Sequence, residues 1–396
     1  MVFQHISIMM KWLLVMVRIE LKLPIASSLL NESIYEGLLY MIRNVDAVGF
    51  NVRNVTVDND VFTKIFNKLK TQVDIRTTGR NDIVPINKLL QCFNIKAEDH
   101  ITNYSQLIET LRKNSNLLNI DRERINLSMK IERNAMLIDL DRREGIALQL
   151  FKADRYTGLT SIELDLSTEQ LTLYFSKEAV LIALLGICSS FIIRSGEYYY
   201  FLFFSPEEIA FLLSRSSKEL LDKYFIVKSK VIDELGRIIS KTSLLSEVLL
   251  TDIMLSLEIY RLMRRENLDK ISFLMFKLAL EGATYKIYEL TPITIYREPP
   301  FIKIAEKHYR DAYKLIDILY NHVFNPEGAV LKRLSTIGTY KIASEVGSLV
   351  HAMYGLYRFV VLGNPEGWYV FLRGIKDAYE ASRNEEYLNL ISRLPT

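Results

Sequence analysis

The sequence predicts an α+β protein: an N-terminal mixed α/β domain with antiparallel strands, followed by a mostly α-helical C-terminal bundle. Three observations carry this expectation. Before residue 198 apolar residues recur both in alternation and at helical spacing, whereas after residue 208 they recur almost only at helical spacing. Between these regions lies EYYYFLFFSPEE, Glu197–Glu208, whose seven-residue run Tyr198–Phe204 is too short for a typical buried helix and rich in the aromatics that strands favour. The run then ends in a helix start. Ser205 is an N-cap, Pro206 has no amide to lose at the first helical position, and Glu208 falls where a capping-box partner belongs. The expected domains are therefore 1–204 and 205–396, the second interrupted by a hairpin near 285–297.

Taken in order, Val17–Leu23 alternates as a half-buried strand that Pro24 stops, and Glu32–Val45 follows Asn31 with Tyr35, Leu38, Leu39 and Ile42 on one helical face. A strand over Ala47–Val57 and a helix from Asp60 to about Lys70 complete a β-α-β-α opening. The polar loop Arg76–Asp82 precedes helices around Pro85–Phe93 and Ser105–Leu118. The alternating segments Arg124–Glu132, Ala135–Asp141 and Gly145–Phe151 then read as a β-meander. A second polar loop, Asp154–Ser161, leads to a strand Ile162–Leu166, and the capping-box pattern Ser167–Gln170 opens a long apolar helix back to the central run.

Beyond Ser205 the expectation is helix after helix, with Gly282 as a C-terminal stop. Tyr285–Arg297 alternates on either side of Thr291-Pro292 and reads as a hairpin or extended arm. After Pro299-Pro300, Ala305, Tyr309, Ala312, Ile316, Leu319 and Val323 form the core stripe of one regular helix. Asn325-Pro326-Glu327-Gly328 and Asn364-Pro365-Glu366-Gly367 share a helix start, but the residues after them do not match, so no duplication follows.

Composition narrows the function classes. With 396 residues, 49% of them hydrophobic, the chain can bury a sizeable core. Fifty Lys+Arg against 47 Asp+Glu leave a formal charge of +3, too balanced for a general nucleic-acid coat, so any nucleic-acid contact must be local. Cys92 and Cys188 lie far apart without histidine companions, which indicates neither a disulfide framework nor a zinc site and fits a reducing cytoplasm. Met1–Val17, interrupted by His5 and Lys11, lacks the order of a signal peptide, and apolar Ala179–Ile193 falls short of the roughly 20 residues that span a bilayer. No membrane association is expected.

Candidate chemistry is confined to basic groups. Lys303, Lys307, Arg310 and Lys314 fall at spacings of four, three and four opposite the core stripe, a ladder suited to a phosphate backbone. The competing reading is a solvated face, since Glu306 and Arg310, and Lys307 and Asp311, are spaced for ion pairs. Arg76 and Arg80, Arg142 and Arg143, and Arg155 with Tyr156 lie in loops where long donors can reach a groove or a backbone, though turns are polar in any case. Lys332 and Arg333 form a further short cluster. The five histidines lie apart without metal-type spacing, and no Gly-rich phosphate loop or serine elbow is visible, so no catalytic residue, metal or cofactor is expected.

Three stretches resemble a family: the YEGLLYMI helix (Tyr35–Ile42), the DRYTGLTSIE loop and strand (Asp154–Glu163), and GEYYYFLFFSPEE (Gly196–Glu208) followed by a helical half. In that order they resemble the large subunit of archaeal type I-A CRISPR effector (Cascade) complexes. The resemblance implies a non-catalytic subunit beside crRNA-bearing backbone and foot subunits. Such a subunit contacts the protospacer-adjacent motif of double-stranded target DNA, holds displaced strand and presents a surface to the helicase-nuclease, while the guide supplies sequence by base pairing. Two other classes stay open: a helical protein-binding scaffold without nucleic-acid contact, and a nuclease with an unrecognised site.

Overall fold

The computed structural model describes residues 16–25, 27–45, 49–69, 73–96, 101–132, 135–156, 172–241, 246–308, 311–337 and 344–394. It is an α+β fold in two compact units, residues 1–222 with 273–290, and residues 223–272 with 291–396.

The first unit opens with β1 (Met16–Leu21), the helix Leu29–Asn44, the hairpin β2 (Gly49–Phe50) and β3 (Asn54–Asp58), and the helix Val61–Lys68. With β4 (Arg124–Leu127) these strands make a sheet of order β2-β3-β1-β4, in which β1 is antiparallel to β3 and parallel to β4. Alternation fixes its faces: Val17, Ile19, Leu21, Val55, Val57, Ile125 and Leu127 are buried on one side, and residues that are polar apart from Met16 and Gly49 occupy the other. A second sheet joins β5 (Met129–Glu132) to β6 (Ala135–Ile138) antiparallel and β6 to β7 (Thr172–Phe175) parallel.

The expected meander is therefore corrected. Arg124–Glu132 divides at Ser128 between two sheets, and Gly145–Phe151 gives only an isolated bridge, Ile146 to Phe175, before a 3-10 turn Leu150–Tyr156. Asp139, in a left-handed conformation at φ 55°, fixes the division. Its carboxylate accepts from the Asn126 amide (2.8 Å) and the Ser176 hydroxyl (2.6 Å) and pairs with Arg122, which also holds Glu178 at 2.6 Å. Burial raises the Glu178 carboxyl above its ordinary range, with the Arg122 charge opposing the shift.

The helix Lys177–Ser190, capped by Ser176, is buried almost all round, as its unbroken apolar sequence requires. It crosses Leu29–Asn44 at a backbone-to-backbone contact, where a Cβ on Gly37 would run into the Ile182 carbonyl and one on Gly186 into the Ser33 carbonyl. The expected box Ser167–Gln170 and strand Ile162–Leu166 lie outside the described residues, but the apolar helix expected to open at that box starts instead at Lys177, after strand β7.

A third sheet has the order β11-β10-β9-β8, with β8 (Phe191–Ser195), β9 (Tyr198–Phe204), β10 (Lys270–Glu281) and β11 (Thr284–Tyr296). The run Tyr198–Phe204 is the expected strand, and Ser205 caps the expected helix, Pro206–Arg215, through the Glu208 amide. Three expectations fail here. The segment before Gly282 is a strand, because an apolar run buried on both faces reads alike as helix or strand; the hairpin expected near 285–297 turns instead at Gly282, at φ 59°, so Pro292 lies within the single outer strand β11. The seam is not at residue 205, because β9 has partners on both edges, β8 and the later strand β10, so helix Pro206–Arg215 and residues 273–290 stay with the first unit.

The second unit is helical: Ser246–Leu255, Leu257–Arg265, Pro300–His308, Ala312–Val323, Ala329–Leu334, Ser344–Val360, Glu366–Ser382 and Glu385–Arg393, together with most of Lys218–Ile239. Ser344–Val360 and Glu366–Ser382 approach closely because Gly355, Gly367 and Gly374 leave no side chain in the way. Among the described residues no helix is long and apolar enough to cross a membrane.

Candidate nucleic-acid interface

The loop that carries Arg76 and Arg80 is built on buried polar anchors. Arg76 pairs with Asn103 in an isolated antiparallel bridge, the Thr77 amide donates to Thr102 (2.9 Å), and the Tyr104 amide donates to Ile75 (2.8 Å). Gly79 turns the backbone at φ 63°, and Arg80 is the first residue of the helix Arg80–Cys92. Three residues past Gly79, Asp82 is fully buried. Its carboxylate accepts from the Thr78 amide and hydroxyl (both 2.9 Å), the Tyr104 hydroxyl (3.2 Å) and the Gln149 amide (2.9 Å).

Pro85, four residues after Asn81, cannot donate to the Asn81 carbonyl, and the Gln149 side-chain amide reaches that oxygen at 3.4 Å instead. From the other side, the hydroxyl of buried Tyr285 donates to the Arg76 carbonyl. Burial lifts both the Tyr104 and Tyr285 hydroxyls well above the ordinary tyrosine range, with the Asp82 charge adding to each, so both remain hydrogen-bond donors.

The guanidinium groups themselves point outward. Arg76 and Arg80 are exposed, and among the described residues neither takes part in an ion pair. Gln149 ties this loop to the turn Leu150–Tyr156, where the buried Asp154 carboxylate accepts from the Leu29 and Leu30 amides (2.9 Å each) and closes the start of the helix Leu29–Asn44. Arg155 and Tyr156 end that turn; their side chains lie outside the described residues. Arg142 and Arg143 are exposed in the bend just upstream, where Arg143 donates to the Glu132 carbonyl. The loops at Arg76–Asp82 and Gln149–Tyr156, far apart in sequence, are thus joined, whereas among the described residues no hydrogen bond or ion pair ties Arg142 or Arg143 to either loop.

The ladder does not hold together. Asp311 caps a new helix, its backbone extended and its side chain accepting from the Lys314 amide at 3.0 Å. Lys303 and Lys307 therefore lie exposed on Pro300–His308, Lys314 lies exposed in the first turn of Ala312–Val323, and Arg310 is outside the described residues. The regular stripe concealed this break, because a local aspartate cap interrupts a helix without disturbing apolar spacing. Lys314 lines a polar cleft of about 820 Å³ with Asp317, His322 and Arg393 among its walls. Lys332 is exposed, and Arg333 is held by Glu345 at 2.7 Å.

Sequence reasoning missed Asp82, Tyr104 and Tyr285. The readable signal for the first was an acid at the third position of a helix, where a capping carboxylate belongs; nothing local marks the tyrosines. Among the described residues no group of three or more His, Cys, Asp or Glu could hold a metal ion.

No family model matches the chain, and no solved structure matches it. It is 37% identical to an uncharacterized protein of Archaeoglobus fulgidus over 396 residues, covering 96% of this chain and 100% of that protein.

Proposed function

The chain belongs to one family with that archaeal protein, and from this premise we propose that it is a non-catalytic large subunit of a type I-A CRISPR interference complex in the cytoplasm. In this role it meets the protospacer-adjacent motif of target DNA, holds the opened duplex beside crRNA-bearing backbone and foot subunits, and offers a surface to the helicase-nuclease. Guide base pairing supplies sequence, so the protein need read only a short duplex element and grip phosphates.

The observation that carries the reading is the pair of exposed guanidiniums, Arg76 and Arg80, on a backbone pinned by buried Asp82, Tyr104 and Tyr285. A donor on a rigid loop loses little freedom when it meets a base edge or phosphate, which is what short-motif recognition needs.

The test is target-DNA binding by the assembled complex across a salt series. Arg76→Gln or Arg80→Gln should cost about 1–3 kcal/mol and relax preference for the motif if the residue reads a base edge. Lys303→Ala with Lys307→Ala should weaken all sequences alike and lower the salt slope. Unchanged affinity and salt dependence in all of these variants would refute the reading. A second reading, a protein-binding scaffold, is favoured by half-exposed Tyr354 and by Tyr369, 70% exposed, on two adjacent helices; it predicts partner binding insensitive to salt.

A further inference from the structure

The outer face of the first sheet carries an arrangement that strand stability alone does not favour. Arg18 on β1 and Arg124 on β4 are direct register partners, so two exposed guanidiniums stand side by side on one face. Like charges opposite one another on neighbouring strands are destabilising. Glu20 lies two residues from Arg18 on the same face, at 4.0 Å from it and 2.9 Å from Lys22. The Lys22 hydrogen bond, the Lys22 charge and then those of Arg18 and Arg124 pull its carboxyl below the ordinary range. Glu20 is thus one carboxylate among three cations, and the other carboxylate of this face, Asp58, is paired with Lys64 at 2.7 Å.

Among the described residues the rest of the face is polar apart from Met16 and Gly49. Across the sheet, Gly49, Thr56, Arg18 and Arg124 form one row, and Asn54, Glu20 and Asn126 form the next. A Cβ on Gly49 would meet nothing within 4 Å. The opposite side of the same strands is apolar and buried, so the register cannot slip to bury these cations.

We propose that this face holds the phosphate backbone of a single-stranded nucleic acid. From Arg18 to Lys22 the cations span about 13 Å along the strand, at roughly 3.3 Å per residue. A flexible single strand can follow that twisted surface, whereas reading a duplex groove takes an inserted helix or ribbon. The described residues of the face include no aromatic ring, so it grips phosphates and does not stack bases. Binding is therefore tolerant of sequence and strongly dependent on salt. Three contacts to a single strand correspond to a fall of about two units in log K per tenfold rise in salt. The surface is separate from the Arg76–Arg80 loop, and the proposal shares with the previous reading only the class of ligand.

The experiment measures anisotropy of labelled oligo-dT and oligo-rU of 15 nucleotides, and of a duplex of the same length, with the full chain from 20 to 200 mM salt. Three proteins are compared: the unaltered chain, Arg18→Gln with Arg124→Gln, and a control of equal charge change, Arg373→Gln with Lys376→Gln, both exposed on the helix Glu366–Ser382. The expected result is single-strand binding with a log–log slope near −2. In the sheet variant that slope should fall to about −0.7, with affinity down tenfold or more, while the Arg373→Gln with Lys376→Gln control leaves both unchanged. The sheet variant should melt no lower than the unaltered chain, because it removes a like-charge pair. Unchanged single-strand binding in the sheet variant overturns the proposal, as does tighter binding of the duplex than of either single strand, or no single-strand binding at 20 mM salt. None of these results bears on motif recognition by the loop in the assembled complex, which fails or stands by its own measurement. Equal affinity for DNA and RNA is expected of a phosphate grip; preference for oligo-rU assigns the face to RNA, and preference for oligo-dT to displaced DNA.

Discussion

Replacing Asp82 with alanine removes the acceptor on which the Arg76–Arg80 loop closes. The carboxylate is fully buried and takes hydrogen bonds from the Thr78 amide, the Thr78 hydroxyl, the Tyr104 hydroxyl and the Gln149 amide. The Thr78 hydroxyl is part-exposed and can turn to water, which leaves two amides and a buried phenol without partners. An orphaned buried donor costs about 1–3 kcal/mol; the two amides are part-buried, so with all three donors in the lower half of that range the loss is about 3–6 kcal/mol. Asp82→Asn keeps one acceptor oxygen and should fall between the two. Urea unfolding followed by circular dichroism reads this as a lower midpoint with an unchanged slope. Amide exchange should accelerate at Thr78 and Gln149 more than at Val55 in β3. A loss under about 1 kcal/mol, or unaltered exchange at those two amides, would refute the claim that Asp82 holds the loop.

Other expectations follow from particular contacts. Gly186→Ala and Gly37→Ala put a Cβ into the backbone of the facing helix and should each cost about 1–3 kcal/mol or more, whereas Gly49→Ala, with open space around it, should leave the melting temperature unchanged or slightly raised. Burial raises the Asp252 carboxyl to about 7, with the Arg237 charge opposing. Because that lies above the unfolded value of roughly 3.9, its contribution to stability is full below about pH 4 and lost as pH rises through about 7. The urea midpoint should therefore fall from pH 5 to pH 8 by more in the unaltered chain than in Asp252→Asn; equal falls contradict the assignment. The purified chain should hydrolyse neither nucleic acid nor nucleoside triphosphates, a result undone by metal-dependent turnover that a point mutation abolishes.

Legibility in the sequence followed the range of the interaction. Tyr198–Phe204, its Ser205 cap and the β1–helix–β3 opening could be read because propensity, capping and alternation are local. Lys270–Glu281 could not, because a strand buried on both faces has no period to distinguish it and its partner β9 lies far back in the chain. The ladder was misread for the opposite reason: the apolar stripe persists through residues 305–323, while one side-chain cap at Asp311 divides the helix beneath it. In the candidate interface the exposed arginines were visible as residue types in turns, but Tyr285, which holds the Arg76 carbonyl, is distant in sequence. The Arg18–Arg124 pair likewise exists only through the parallel pairing of β1 and β4.

The central claim, membership of a crRNA-guided assembly, is tested most directly by tagging the chain in its native cells, purifying it under mild salt and sequencing the bound RNA. Discrete RNAs composed of spacer sequence flanked by CRISPR repeat, recovered with a stoichiometric set of protein subunits and absent from an untagged control, are the predicted result. Recovery of the chain with partner proteins but no RNA enriched over that control would contradict it.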